Sequence, residues 1–239
     1  MDGVTAKTEE LFREDAYLKM CEAAVIAIED GAYVLDRTVF YATSGGQPGD
    51  TGSLSTADGR MVVVRDATKG AAGVRHVPAP DSPALAPGEI VTAVIDWDRR
   101  HRHMRMHTAL HLVSAAVAGD ITGAQVGAER SRVDFNLAGE VPTKESVTEA
   151  VNKMIALDRA VTPRWVTDEE LAARPELVRS MSVRPPTGMG RVRLLDIEGI
   201  DLQACGGTHV ARIGEIGRFE VVKIENKGKS NRRFIVALA

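Results

Sequence analysis

Nowhere in the 239 residues is there a run of about 18 apolar side chains, so no membrane-spanning helix is expected. Cysteine is almost missing. Cys21 and Cys205 are the whole supply, too few for a disulfide framework, which makes the cytoplasm the expected compartment. The opening stretch MDGVTAKTEELFR has no basic segment followed by an apolar one, so no secretory signal is expected. Aromatic residues are only 4%, and no apolar interface stands out, which leaves the oligomeric state open. No Gly-Lys-Ser/Thr follows the glycine-rich stretch at 45–52, which argues against a P-loop and a bound nucleoside triphosphate. There is no internal repeat. The net charge of -3 gives none of the overall basic excess that would advertise a nucleic-acid binder.

What is present suits an ordinary globular protein: 44% hydrophobic and 26% charged residues, enough to build a core. The first ninety residues are β-rich. Ala23–Ile28 and Ala32–Leu35 flank Glu29-Asp30-Gly31, a hairpin signal. Further β-prone runs are 38–41, Met61–Arg65 and Glu89–Ile95, while Lys69–Gly88 is rich in Ala, Gly and Pro and reads as a loop containing His76. The character then changes. Asp98 is placed to cap a helix running to about Ala118, with Met106, Leu110, Val113 and Val117 at helical period. Strands are expected within Gln125–Asn136, then a helix over Pro142–Leu157 capped by Thr143, and a short helix after Thr167. Strands at Arg191–Ile197, Glu215–Ile224 and Arg233–Leu238 complete the chain. The expectation is an α+β fold: a small, glycine-rich, β-barrel-like domain at 1–94, then a two-layer α+β domain with an antiparallel sheet at 95–239. Within Pro163–Gly190, the pair Pro185-Pro186 and Met189 have no assigned role.

His107 and His111 stand four apart on the first helix, so both imidazoles leave one face. Alone, this spacing more often marks two satisfied histidines than a metal site. Far downstream stands Cys205-Gly206-Gly207-Thr208-His209, whose glycines let the backbone turn so that sulfur and imidazole reach one point. The combined His3Cys set favours one zinc ion per chain. Cys21 lacks such neighbours and reads as a small buried hydrophobe, and His101 and His103 as basic-patch or structural residues.

Two basic clusters lie near these motifs. One is Arg99, Arg100, Arg102 and Arg105; the other is Lys223, Lys227, Lys229, Arg232 and Arg233, opposed only by Glu225. Each alone reads as a solvated face. The two together point to RNA phosphates, with Arg105, Lys227, Lys229, Arg232 and Arg233 as contacts.

These residues carry a family resemblance. The chain resembles the AlaX family, free-standing relatives of the alanyl-tRNA synthetase editing domain, in its medium-length form. The matching pieces occur in the family's order: Leu35-Asp36-Arg37-Thr38, Gly45-Gly46-Gln47-Pro48-Gly49-Asp50-Thr51-Gly52, Asp96-Trp97, Met104 to Leu112, Gln125-Val126-Gly127, Asp134-Phe135, Cys205 to Val210 and Lys227 to Arg233. Ser44 stands where the family usually has another glycine. The resemblance implies hydrolysis of amino acids wrongly joined to tRNA(Ala), chiefly at its acceptor end, with His107, His111, Cys205 and His209 near zinc. It implies Gln125 as the pocket residue that reads a serine hydroxyl, with Thr108 as the second candidate. Gly45, Gly46 and Gln47 compete between a structural turn and contact with the tRNA end. Four protein ligands fill a tetrahedral site, whereas a catalytic zinc keeps one position open, and the sequence leaves both arrangements standing. Two rivals remain: a deacylase of another tRNA, such as that for threonine, and a zinc-stabilised RNA-binding module without catalysis.

Overall fold

The computed structural model describes residues 7–178 and 190–238, so Pro185-Pro186 and Met189 lie outside the described residues. The fold is mixed α+β and falls into two compact units. One unit holds the chain up to Ser44 and Pro48–His101; the other holds Gly45–Gln47 and the chain from Arg102 onward.

The first unit carries eight strands: β1 (Glu9–Glu10), β2 (Met20–Glu29), β3 (Ala32–Leu35), β4 (Arg37–Thr38), β5 (Gly52–Thr56), β6 (Met61–Lys69), β7 (Val74–Pro78) and β8 (Ile90–Ile95). Six of them close an antiparallel barrel in the order β2-β3-β7-β6-β5-β8, while β1 and β4 form a short parallel pair. Asp30 (φ 49) and Gly31 (φ 79) make the left-handed turn of the expected β2–β3 hairpin. The expected loop at 69–88 contains a strand. Its Val-Arg-His-Val-Pro run is short and proline-ended, so propensity alone hid it, yet pairing with β3 and β6 makes β7 part of the barrel. His76 is therefore buried rather than on a surface loop. It shares one hydrogen bond with Thr38 Oγ1 (2.7 Å) and another with the Tyr33 carbonyl (2.9 Å). Burial holds its pKa down at about 4, against the opposing hydrogen bond to Tyr33.

One arginine of the first basic cluster is structural. Arg100 is fully buried, paired with the buried Asp50 and bonded to the Val39 and Ala16 carbonyls. Asp50 additionally accepts from the Tyr41 amide at 2.7 Å. His101 stacks on Trp97 at 5.3 Å.

Helix α1 (Trp97–Ala116) is capped by Asp96, whose carboxylate accepts from the Arg99 amide; Asp98 lies inside its first turn and is not the cap. From His103 to Ser114 every residue of α1 but Arg105 is buried, which places the metal-ligand candidates on an interior helix.

The second unit continues with β9 (Asp120–Gln125), β10 (Arg130–Asn136), α2 (Lys144–Ala156), β11 (Val161–Val166), α3 (Asp168–Ala172), β12 (Val192–Ile197), β13 (Asp201–Ala204), β14 (Phe219–Asn226) and β15 (Asn231–Leu238). Among the described residues these strands form two antiparallel sheets, β14-β15-β10-β9 and β11-β12-β13. Thr143 caps α2 and Thr167 caps α3, as their sequences lead one to expect. On the four-stranded sheet Val133, Phe135, Phe234 and Val236 form the buried face. At its β14 edge, Asn152 bonds both backbone groups of Phe219 and Thr148 accepts from Val221, so α2 satisfies groups that an open edge would leave exposed. Among the described residues, no helix is long and apolar enough to cross a membrane.

Candidate metal centre

One turn of α1 separates His107 from His111, and the loop after β13 delivers Cys205 and His209 to the same place. Their ligand atoms all lie within 4.8 Å of one another. The three rings converge, with centroids 4.4 Å apart for His107 and His209 and 5.0 Å for His111 and His209. Cys205 Sγ is 3.6 Å from His107 Nε2 and 3.2 Å from His209 Nε2.

Each imidazole is held from behind at Nδ1. Gln47 Oε1 lies 2.8 Å from His107 Nδ1 and Asp201 Oδ2 3.0 Å from His111 Nδ1. Thr108 Oγ1 lies 3.2 Å from His209 Nδ1. A carboxylate and a carboxamide oxygen can only accept, and Thr108 already gives its one proton to the Met104 carbonyl at 2.9 Å. All three rings therefore carry hydrogen on Nδ1, which leaves Nε2 of each as the atom facing the cluster. Fixing the rings and raising their basicity in this way is what histidine metal ligands require. The donor set, one thiolate and three imidazole nitrogens, fits a tetrahedral borderline-soft ion.

Burial opposes charge on Cys205, but His107 and His209 and hydrogen bonds from His107 and His111 hold the thiol well below its usual range. Burial also opposes charge on His111, yet Asp201 and Cys205 raise it to about 9. At His209 burial prevails over Cys205 and holds the ring well below its usual value.

The loop needs its glycine. A Cβ on Gly207 would lie 2.5 Å from His107 Nδ1 and 2.9 Å from Gln47 Oε1. Arg193 pins the same loop by donating to the Cys205 and Gly207 carbonyls, each at 3.0 Å. Sequence reading passed over Arg193, Asp201 and Gln203, whose amide donates to Asp201 and to Ser114. The one available signal was the alternation Asp201, Gln203, Cys205, three polar residues at strand period.

The remaining expected site residues sit in different surroundings. Gln47 is no exposed RNA contact: it is fully enclosed, and besides His107 it binds the Thr208 hydroxyl (2.7 Å) and amide (3.1 Å). Thr108 is likewise enclosed, its hydroxyl donating to the Met104 carbonyl and lying beside His209 Nδ1. Arg105 donates to the Ile216 carbonyl. Arg233 makes a two-pronged pair with Asp134, and Arg232 binds Asn226 and the Gly228 carbonyl, bracing the β14–β15 turn. Lys227 pairs with Glu225 at 3.2 Å, and Lys229 is exposed. Gly45 and Gly46 are exposed, although a Cβ on Gly46 would strike the Ala124 carbonyl. Gln125 is exposed at the end of β9, its amide oxygen 3.2 Å from Arg132 Nε, and no contact brings its side chain to the cluster. Its neighbour Val126 does bond to Gly46, next to Gln47.

Residues 192–235 match the family described as the Threonyl and Alanyl tRNA synthetase second additional domain, and residues 4–99 match tRNA synthetases class II (A). A Methanosarcina mazei protein named Alanyl-tRNA editing protein AlaX-M is 40% identical over 242 residues, covering 97% of this chain and 96% of that one. AlaX-M of Saccharolobus solfataricus is 36% identical over 230 residues, 95% of this chain and 97% of its own. An alanine–tRNA ligase of Methanothermobacter thermautotrophicus is 36% identical over 228 residues, which are 91% of this chain but 25% of the ligase.

Proposed function

Since the chain belongs to the AlaX-M family of alanyl-tRNA editing proteins, we propose that it is an aminoacyl-tRNA deacylase that uses zinc to free tRNA(Ala) from serine, and also from glycine. The reading rests above all on three imidazoles that each present Nε2 beside one low-pKa thiol. It sets the work in the cytoplasm, at the acceptor end of a charged tRNA. The matched length, nearly the whole of each editing protein, supports an enzyme that acts in trans on tRNA charged elsewhere.

A zinc ion held by His107, His111, Cys205 and His209 would supply Lewis acidity to the ester carbonyl and to the oxyanion that develops from it. The chain's own part is orientation. Gln47, Asp201 and Thr108 fix the three rings, and Gly207 leaves room for His107. An alanine pocket rejects an added hydroxyl poorly, so a second site must distinguish serine from alanine by giving the hydroxyl a polar partner. With Thr108 committed, Gln125 remains the candidate for that partner, Arg132 holding its oxygen and leaving the amide nitrogen to donate.

The test is hydrolysis of seryl-, glycyl- and alanyl-tRNA(Ala), with and without a zinc chelator, alongside circular dichroism. Loss of serine and glycine but not alanine, stopped by chelation while the fold persists, is expected. A specific observation favours a second reading: four protein ligands complete a tetrahedral shell, as in structural zinc sites. That reading expects no turnover and unfolding on chelation. Turnover of seryl-tRNA(Thr) instead would move the assignment to the threonine system.

A further inference from the structure

Strand pairing gathers arginines that the sequence keeps apart. Arg132 lies opposite Gln125 on β9 and Ile235 on β15; Asp134 lies opposite Arg233, and Arg233 opposite Glu225 on β14. Directly opposed residues share a face, and their alternates Val133, Phe135, Phe234 and Val236 fill the core. Arg130, Arg132, Lys223 and Arg233 therefore stand together on the outer face. There Gln125, Arg130, Arg132, Glu225, Arg233 and Ile235 help line a cavity of ≈ 270 Å³.

Two of the acids on this face, Asp134 and Glu225, each bridge two cations, and a third, Glu220, lies opposite Ala237, as Arg130 does. Asp134 serves both Arg132 (2.8 Å) and Arg233 (2.8 Å). Glu225 serves both Lys223 (2.8 Å) and Lys227 (3.2 Å). Each group keeps one positive charge in excess, and Arg130 has no such partner among the described residues. A chain of net charge -3 thus concentrates positive charge in one place. The cavity has no aromatic anchor of the kind a protein-binding patch carries, and Val126 and Ile235 are the aliphatic residues that line it. Preset guanidinium forks on an open surface suit phosphate oxygens. Its β9 end leads to the metal centre, through the Val126 amide bonded to the Gly46 carbonyl.

We infer that the outer face of the β14-β15-β10-β9 sheet docks the phosphodiester backbone of the tRNA, with Arg130, Arg132, Lys223 and Arg233 as the contacts. This rests on the deacylase reading for the identity of the RNA. Positions 130, 132 and 223 extend the contact surface well beyond the 227–233 turn.

The test compares the parent protein, the double variant Arg130→Ala/Lys223→Ala and a control, Lys144→Ala, on exposed α2. Binding of uncharged tRNA(Ala) is measured across a salt series, and seryl-tRNA(Ala) deacylation gives kcat and KM. The double variant should bind roughly 5–20-fold more weakly at moderate salt, with the slope of log affinity against log salt smaller by about 1–2. KM should rise by a similar factor with kcat unchanged, and the control should match the parent. Parent-like salt slope and KM in the double variant would overturn the inference and leave the face to an acidic protein. If the parent binds tRNA and the variant loses the slope, but neither hydrolyses any charged tRNA(Ala), the surface stands and the deacylase reading falls. Absence of any tRNA binding by the parent overturns both.

Discussion

Replacing Gln47 by leucine separates two roles that its position in a glycine-rich motif leaves equally open. Leucine fills similar space but accepts no hydrogen bond. The His107 Nδ1–H and the Thr208 amide would lose their shared acceptor, now at 2.8 and 3.1 Å, inside a site closed to water. Each orphaned donor costs about 1–3 kcal/mol, so the metal-free protein should lose roughly 2–6 kcal/mol. In a domain of this size that lowers the melting temperature by roughly 4–24 °C. With His107 free to turn, zinc affinity should fall about 10–100-fold, as for other partners of metal-bound histidines. Competition against a chromophoric chelator measures the affinity, and circular dichroism the melting. Gln47→Glu is the companion variant, since a carboxylate accepts from both donors and the Thr208 hydroxyl can turn to donate to it; it should keep most of the zinc affinity. Parent-like zinc affinity and stability in Gln47→Leu, with only tRNA binding weakened, would refute this and restore Gln47 as an RNA contact.

Three further outcomes are expected. Gly207→Ala should weaken zinc binding and cost about 1–3 kcal/mol in melting experiments, because the new methyl overlaps the His107 ring. Asp50→Ala should cost about 3–5 kcal/mol by denaturant titration, since it leaves the fully buried Arg100 charge uncompensated. His76 has a folded pKa of about 4, below its ordinary 6.5, so the unfolded chain binds the extra proton between these values; its contribution is complete above pH 6.5 and fades as pH falls toward 4. About 3 kcal/mol is at stake, and His76→Gln should flatten that part of the stability–pH curve.

The four candidate metal ligands were legible because their spacing is local: four residues on a helix, and four across a glycine turn. What holds them was not. Gln47 acts on Thr208 across 161 residues and Asp201 on His111 across 90, and no period or motif connects such pairs. Helices with explicit caps, at Thr143 and Thr167, were readable from sequence, whereas β7 forms because its barrel neighbours need a partner strand. The basic clusters show the limits of density along the chain. Arg100 sits among other arginines and is fully buried, while Arg130 and Arg132 drew no notice yet share a charged face with Arg233.

The long reach from Gln47 to Thr208 also bears on synthesis. A ribosome delivers the N-terminal part first, at roughly 5–20 residues per second. By the time Ile95 has emerged, every strand of the barrel is available to pair. His107 and His111 follow soon after, but Cys205 and His209 arrive about a hundred residues later, some seconds at that pace. A chain cut short before residue 205 therefore carries every strand of the barrel but only two of the four candidate metal ligands. Premature termination leaves that cluster half built.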